Sequence, residues 1–252
     1  MRPALAGVLL LAMSGCALRV PPPRAAAPPA DAAGEAWARV LAQRVDEQGR
    51  IDFDGIARDP ADLEAFVAWI AAGSPESAPD AFATRDAKLA YYLNAYNALA
   101  LYDVLQAGLP PDLYPVRVRI FYRNRFRMGR RDISLYSLEN SVIRPMGEPR
   151  VHVALNCMAR GCPRLPREPF RAEILDAQLD REARRFYNEE RNVRPEPERR
   201  MVRLSQILQF YTSDFLAKAP SLIDYVNLYR DERIPSGWKV EFIPYDWRLN
   251  RQ

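Results

Sequence analysis

The chain is poor in the residues that most often carry chemistry. Its 252 residues hold one histidine and three cysteines, and only three of its 36 basic residues are lysine (Lys88, Lys218, Lys239). So strong an arginine skew suggests genome composition rather than selection for phosphates, and acids are interleaved with the bases, so nucleic acid is not an expected partner despite a pI near 9. There is no internal repeat, no glycine-rich phosphate loop and no serine-centred nucleophile elbow. Nothing after residue 16 is apolar enough for a membrane span, which needs roughly 20 residues. With one imidazole, a metal set of His152, Cys157 and Cys162 is one ligand short of a closed tetrahedron, and the Cys-x4-Cys spacing is not a common zinc pattern. No cofactor is expected.

What is present begins with a targeting segment. Arg2, the apolar run "ALAGVLLLAM" and "MSGC" resemble a lipoprotein signal with its lipobox, although Met13 stands where leucine is usual. The expected organisation is a signal over 1–15, a Pro/Ala-rich tether over 16–34 starting at a lipidated Cys16, and one domain over 35–252. The expected location is an outer-membrane anchor facing the periplasm, since Ala17 is not the aspartate of inner-membrane retention. An ordinary secretory signal with an incidental cysteine is the alternative. Outside the cytosol the two remaining thiols, Cys157 and Cys162, either pair as a disulfide or are kept free for a purpose.

Apolar periodicity predicts helices around Trp37–Val45, Leu63–Ile70 and Leu89–Val104, the last stopped by Gly108 and Pro110. "RIDFDGI" suits a short strand or extended turn. "VRVRIFYRNRFRMGRR" alternates and predicts a hairpin or meander in which Arg117, Arg119, Arg123, Arg125 and Arg127 share one solvated face, with an anion-binding patch as the alternative. Ser134 caps a helix that holds Glu139 and ends at Pro145. "RVHVALN" alternates again, which predicts a strand with His152 and Asn156 on one face and Cys157 on the other. Helices over "RAEILDAQLDREARRFYN", "LSQILQFYTSDFLAKA" and "SLIDYVNLY" and a final strand in "KVEFIPYDWRLN" complete an α+β domain, its helices packed around a small, mostly antiparallel sheet.

Two features stand out. Asn94 and Asn97 are neighbours on an otherwise apolar helix, and a buried amide left unpaired costs roughly 1–3 kcal/mol. They either tie down a neighbouring loop or, for Asn94, orient a catalytic group. The block "VHVALNCMARGC" holds the only histidine beside two cysteines.

The blocks "YYLNAYNALALYDVL", "SLYSLEN..IRP", "RVHVALNCMARGCPRL", "LDREARRFYN", "LSQILQFYTSDF" and "YDWRLN", in this order, resemble the family catalogued as domain of unknown function 547, from about residue 35 to the C-terminus. That family usually has Glu-His where this chain has Glu139-Asn140, so His152 is the sole imidazole here. The resemblance implies a fold neighbourhood rather than a reaction.

A thiolate activated by an imidazole, with a third group to orient the ring, is a nucleophile. Cys162 or Cys157, His152, and one of Asn94, Asn156 and Glu139 supply these types, similar to papain-like thiol enzymes in a permuted order. The expectation is a thiol-dependent hydrolase or acyl/peptidyl transferase acting on a small molecule, a peptide or a cell-envelope polymer. The alternatives are a binding or scaffold lipoprotein with a Cys157–Cys162 disulfide and a structural His152, and a Cys/His metal-binding protein.

Overall fold

The computed structural model describes residues 17–24 and 26–252; the expected signal segment and Cys16 lie outside them. Helix α1 (Ala30–Arg44) turns Trp37, Val40 and Leu41 inward, and α3 (Ala61–Ala72) answers with Leu63, Phe66, Val67 and Ile70. Between them Asp52 caps a short helix α2 (Phe53–Arg58) by accepting the Gly55 N–H at 2.8 Å, where the sequence suggested a strand or turn. Helix α4 (Arg85–Gln106) is capped by Thr84 and buried on every side from Leu89 to Val104. A helix apolar all round belongs at the centre of a fold, and α4 is that centre. Gly108 at φ 79° supplies the left-handed turn that ends it.

The class is α+β, as expected. Among the described residues six strands form two three-stranded sheets. Strand β2 (Asn124–Met128) pairs antiparallel with β3 (Arg131–Ile133) and parallel with β1 (Leu18–Arg19). Strand β5 (Met201–Ser205) pairs antiparallel with β4 (Val193–Glu196) and parallel with β6 (Lys239–Ile243). Each sheet is therefore mixed, because a hairpin acquires a strand from a distant part of the chain. Strand β4 carries Pro195 and lies at an edge, where a missing N–H costs no ladder bond.

Two predicted strands are coiled instead. Residues Val118–Arg123 form a π-helical turn that buries Ile120 and Phe121 consecutively, which a strand with one buried face does not do. Only Arg125 and Arg127 thus share a strand face, while Arg117, Arg119 and Arg123 precede it. Residues Pro149–Val153 form a 3-10 turn started by Glu148, whose side chain accepts the Arg150 N–H at 3.1 Å. The strand parity expected for His152, Asn156 and Cys157 does not apply.

The expected tether also differs. Within 16–34, β1 is hydrogen-bonded to β2, Val20 is buried, the Pro21 carbonyl accepts from the Tyr102 hydroxyl at 3.3 Å, and α1 begins at Ala30. Among the described residues no helix is long and apolar enough to cross a membrane.

Two apolar clusters fill the molecule. One surrounds α4; the other backs β4–β5–β6 and includes Phe186 and Tyr187 of α5 (Leu175–Asn188). The 3-10 turn threads between them, with Val151 in the first and Val153 in the second. His152 is held at the seam.

Asp103 of α4 is buried with one oxygen on the Asn124 amide at 2.7 Å and the other without a partner. Burial pushes its carboxyl up from 3.8 to about 7, against the hydrogen bond from Asn124. Between those values the folded chain holds a proton that the unfolded chain releases, so stability falls as pH rises through this window. Asp103→Asn removes the titration. Its stability relative to wild type, measured by urea unfolding, is expected to be about 2 kcal/mol more favourable at pH 8 than at pH 5.

Candidate active site

A cleft of about 470 Å³ opens at the seam, with His152, Cys157, Cys162, Glu139 and Asn140 in its wall beside Tyr96, Tyr211 and Tyr245. The backbone that carries the thiols is fixed by asparagines. Asn97 donates to the Ala154 carbonyl at 3.0 Å and accepts the Asn156 N–H at 2.8 Å. Asn156 then donates to the Pro163 carbonyl and accepts the Met158 N–H, both at 2.7 Å. These bonds close the loop 156–163 and hold Met158 at φ 72°, a left-handed conformation that a non-glycine residue adopts at a cost of about 1–3 kcal/mol.

Closure brings the thiols together. The Cys157 and Cys162 sulfurs are 2.9 Å apart and both thiols are free. The Cys162 sulfur also accepts the Cys157 N–H at 3.0 Å and lies 2.9 Å from the Tyr245 hydroxyl. Burial pushes the Cys162 thiol up, but hydrogen bonds from the Cys157 thiol, Tyr245 and the backbone outweigh it, so the net shift is down. Cys157 moves up, because its S–H is the donor to Cys162 and it is buried as well. The pair therefore concentrates thiolate character on Cys162.

Tyr245 reaches the thiols because the C-terminal segment runs along their loop. The Gly161 N–H donates to the Asp246 carbonyl and the Arg160 N–H to the Arg248 carbonyl, each at 2.8 Å. A Cβ on Gly161 would sit 2.8 Å from the Asp246 nitrogen and 2.8 Å from the Tyr245 ring, so only glycine permits this approach.

The imidazole has its own partner. His152 Nε2 is 2.8 Å from an Asp214 oxygen, and the ring stacks on Tyr211 at 3.9 Å between centroids. Arg144 binds the same carboxylate through two bonds of 2.7 and 2.8 Å. That guanidinium, with help from His152, holds Asp214 well below the usual carboxylate range, so Asp214 is ionised and Nε2–H donates to it. Burial lowers His152 to about 4, against the pull of Asp214, so the ring is neutral near pH 7. Its Nδ1 then carries a buried lone pair without a partner. No hydrogen bond joins His152 to either thiol among the described residues.

Glu139 sits against the Tyr96 hydroxyl at 3.3 Å and hydrogen-bonds Tyr211. Burial raises its carboxyl despite both tyrosines. Asn140 accepts from Arg144 at 2.6 Å, so it is wired through that guanidinium to the carboxylate that holds the sole imidazole.

Of the expected residues, the structure brings His152, Cys157, Cys162 and Glu139 to one cleft and places Asn156 beneath the cysteine loop. Asn94 lies elsewhere: it binds both the N–H and the carbonyl of Phe170 and accepts from the Trp37 indole at 3.2 Å, so it clamps a loop and touches no titratable group. The likeness to papain-like enzymes stays one of residue type, since no thiol–imidazole bond is formed. No group of three or more His, Cys, Asp or Glu side chains among the described residues could hold a metal ion. Sequence reasoning missed Asp214, Arg144, Tyr211 and Tyr245. Each lies in one of the quoted blocks, "YTSDF", "IRP" and "YDWRLN", which carried resemblance without a role.

Residues 80–187 match the model of a family described as Protein of unknown function, DUF547. The match includes Asn97, Glu139, His152 and both cysteines, and is narrower than the resemblance read from residue 35, so Asp214 and Tyr245 lie beyond it. Comparison with curated proteins and with solved structures gave no match.

Gly161→Ala is expected to push Tyr245 off the sulfurs. The apparent pKa of Cys162, read from the pH dependence of its alkylation, should rise toward that of an ordinary thiol. An unchanged pH profile would show that Tyr245 does not support the thiolate.

Proposed function

We propose that this protein is a thiol-dependent hydrolase or acyl/peptidyl transferase with Cys162 as nucleophile. The observation that supports it most is the convergence of three polar groups on one buried sulfur, the Cys157 N–H, the Cys157 thiol and the Tyr245 hydroxyl, in the wall of a cleft. A structural thiol has no need of them. The Cys162 thiolate adds to a substrate carbonyl, and the departing amine or alkoxide leaves with a proton as the carbonyl re-forms. We assign that proton to Glu139, the carboxyl in the cleft wall, because burial raises its hold on a proton while burial weakens that of His152. Water or an acceptor amine then attacks the thioester, returns its proton to Glu139 and releases Cys162. His152, fixed by Asp214, orders the cleft wall beside this step and takes no proton in it. Substrates of this reading are a small molecule, a peptide or a cell-envelope polymer.

The 2.9 Å separation of the sulfurs favours a second reading. Loss of two electrons and two protons to an exchanging disulfide joins Cys157 to Cys162, and the protein is then a stapled binding or scaffold lipoprotein. Both readings place it in the envelope, exported and lipid-anchored through Cys16 on the outer membrane facing the periplasm. Support for that location is the lipobox-like sequence alone, and Cys16→Ala should move the protein from the membrane to the soluble fraction.

Thiol titration of the full chain, before and after reduction, separates the two. The nucleophile reading expects Cys162 of the folded, reduced protein to react with iodoacetamide at neutral pH faster than a free cysteine, and Cys162→Ala to remove that phase while Cys157→Ala retains one. A protein that arrives fully oxidised, and whose thiols after reduction react only on unfolding, would instead be the stapled one.

A further inference from the structure

The cleft wall is not electrically neutral. Two guanidiniums, Arg117 and Arg144, line it, and the only carboxyl among the lining residues is Glu139, which burial pushes toward its protonated form. Arg144 is spent, since its donors go to Asp214 and Asn140. Arg117 is not. Its guanidinium carbon lies 3.5 Å over the Tyr114 ring, one N–H donates to the Tyr114 carbonyl, and no carboxylate among the described residues pairs with it. Many arginines of this chain are in ion pairs, as Arg39 with Asp62 and Arg150 with Glu148; Arg117 is among the described ones without a carboxylate partner, and of those it is the one in the cleft wall.

The cation is also held ready. Tyr114 packs edge-on against Trp247 at 5.9 Å, Trp247 against Tyr245 at 4.7 Å, and Tyr245 touches both sulfurs. A continuous aromatic ladder thus runs from the guanidinium to the nucleophile. Stacking and one backbone bond restrict the side chain before any ligand arrives, so little rotamer entropy is lost when its remaining donors are used.

We propose that Arg117 makes this cleft selective for anionic acyl or peptidyl substrates, drawing in and binding a carboxylate that the substrate carries along the cleft from its reactive carbonyl. The inference rests on Cys162 being the nucleophile. Arg117 is the specificity residue, through the planar pairing that a guanidinium makes with a carboxylate. Neutral substrates of the same shape use the same thiolate without that attraction.

Two alkylating reagents that differ in one charge test it without a known substrate. In each, the Cys162 thiolate forms an S–C bond as the C–I bond breaks and iodide leaves. The rate at Cys162 with iodoacetate is divided by that with iodoacetamide, on the reduced full chain at low ionic strength, with the site read by peptide mass. The ratio is expected to exceed that of 2-mercaptoethanol about tenfold. Arg117→Gln should bring it down to the reference value, Arg117→Lys should keep part of the excess, and about 1 M NaCl should erase most of it in the wild-type protein, a reading that needs no variant. A wild-type ratio equal to the reference, or one that survives Arg117→Gln, overturns the substrate selectivity and leaves the nucleophile standing. Failure of Cys162 to react with either reagent overturns both.

Discussion

One buried side chain, Asn97, holds the site in place. Its amide takes the carbonyl of Ala154 and the N–H of Asn156, two of the backbone groups between His152 and Cys157. Neither group has a strand to bond to, because the segment is a 3-10 turn followed by a loop. Left unanswered in the interior, each would cost about 1–3 kcal/mol. Asn97 sits on the most deeply buried helix of the fold, so the register of His152 and the cysteine loop is inherited from the core. Asn156 passes the constraint on to the loop itself, and the loop in turn sets the separation of the sulfurs.

The electrostatics of the site follow from burial more than from charge pairing. Asp214 gives His152 an anionic partner, which by itself would raise the imidazole, yet desolvation at the seam wins and leaves the ring neutral. The same desolvation raises Glu139. Cys162 escapes it only because three polar groups converge on one sulfur. The cleft therefore contains a carboxyl raised by burial, a neutral imidazole and a thiol lowered by its hydrogen bonds, each set by its surroundings. Asn140 preserves this division. A cation at that position would face Arg144, whereas the amide oxygen accepts from it.

Much of this was legible in the sequence, and the misses have a common cause. Apolar periodicity located α1, α3 and α4, and the oddity of two asparagines on an apolar helix pointed to loop backbone that needed holding. The histidine–cysteine block was visible because its members are close in the chain. Asp214 lies 62 residues from His152, and Tyr245 lies 88 residues from Cys157. Such partners leave no trace in local spacing. Alternation misled at residues 117–123 and 151–155 because both stretches bury consecutive residues: Ile120 and Phe121 in the first, and Val151, His152 and Val153 in the second, where a coil threaded between two apolar clusters has no solvated face. The hairpin of β4 and β5 was hidden by its charge, since "RPEPERR" reads as solvated loop until the edge position of Pro195 is known.

The pairing of Leu18 and Arg19 with β2 bears on how the molecule would sit on a surface. With a lipid on Cys16, one residue, Ala17, separates the anchor from a hydrogen-bonded strand, a reach of roughly 7 Å at most for two extended residues. A leash so short allows little swing. The domain would ride on the bilayer with nearly a fixed side facing the headgroups, and its cleft would scan a thin layer just above the membrane instead of the volume that a long tether sweeps.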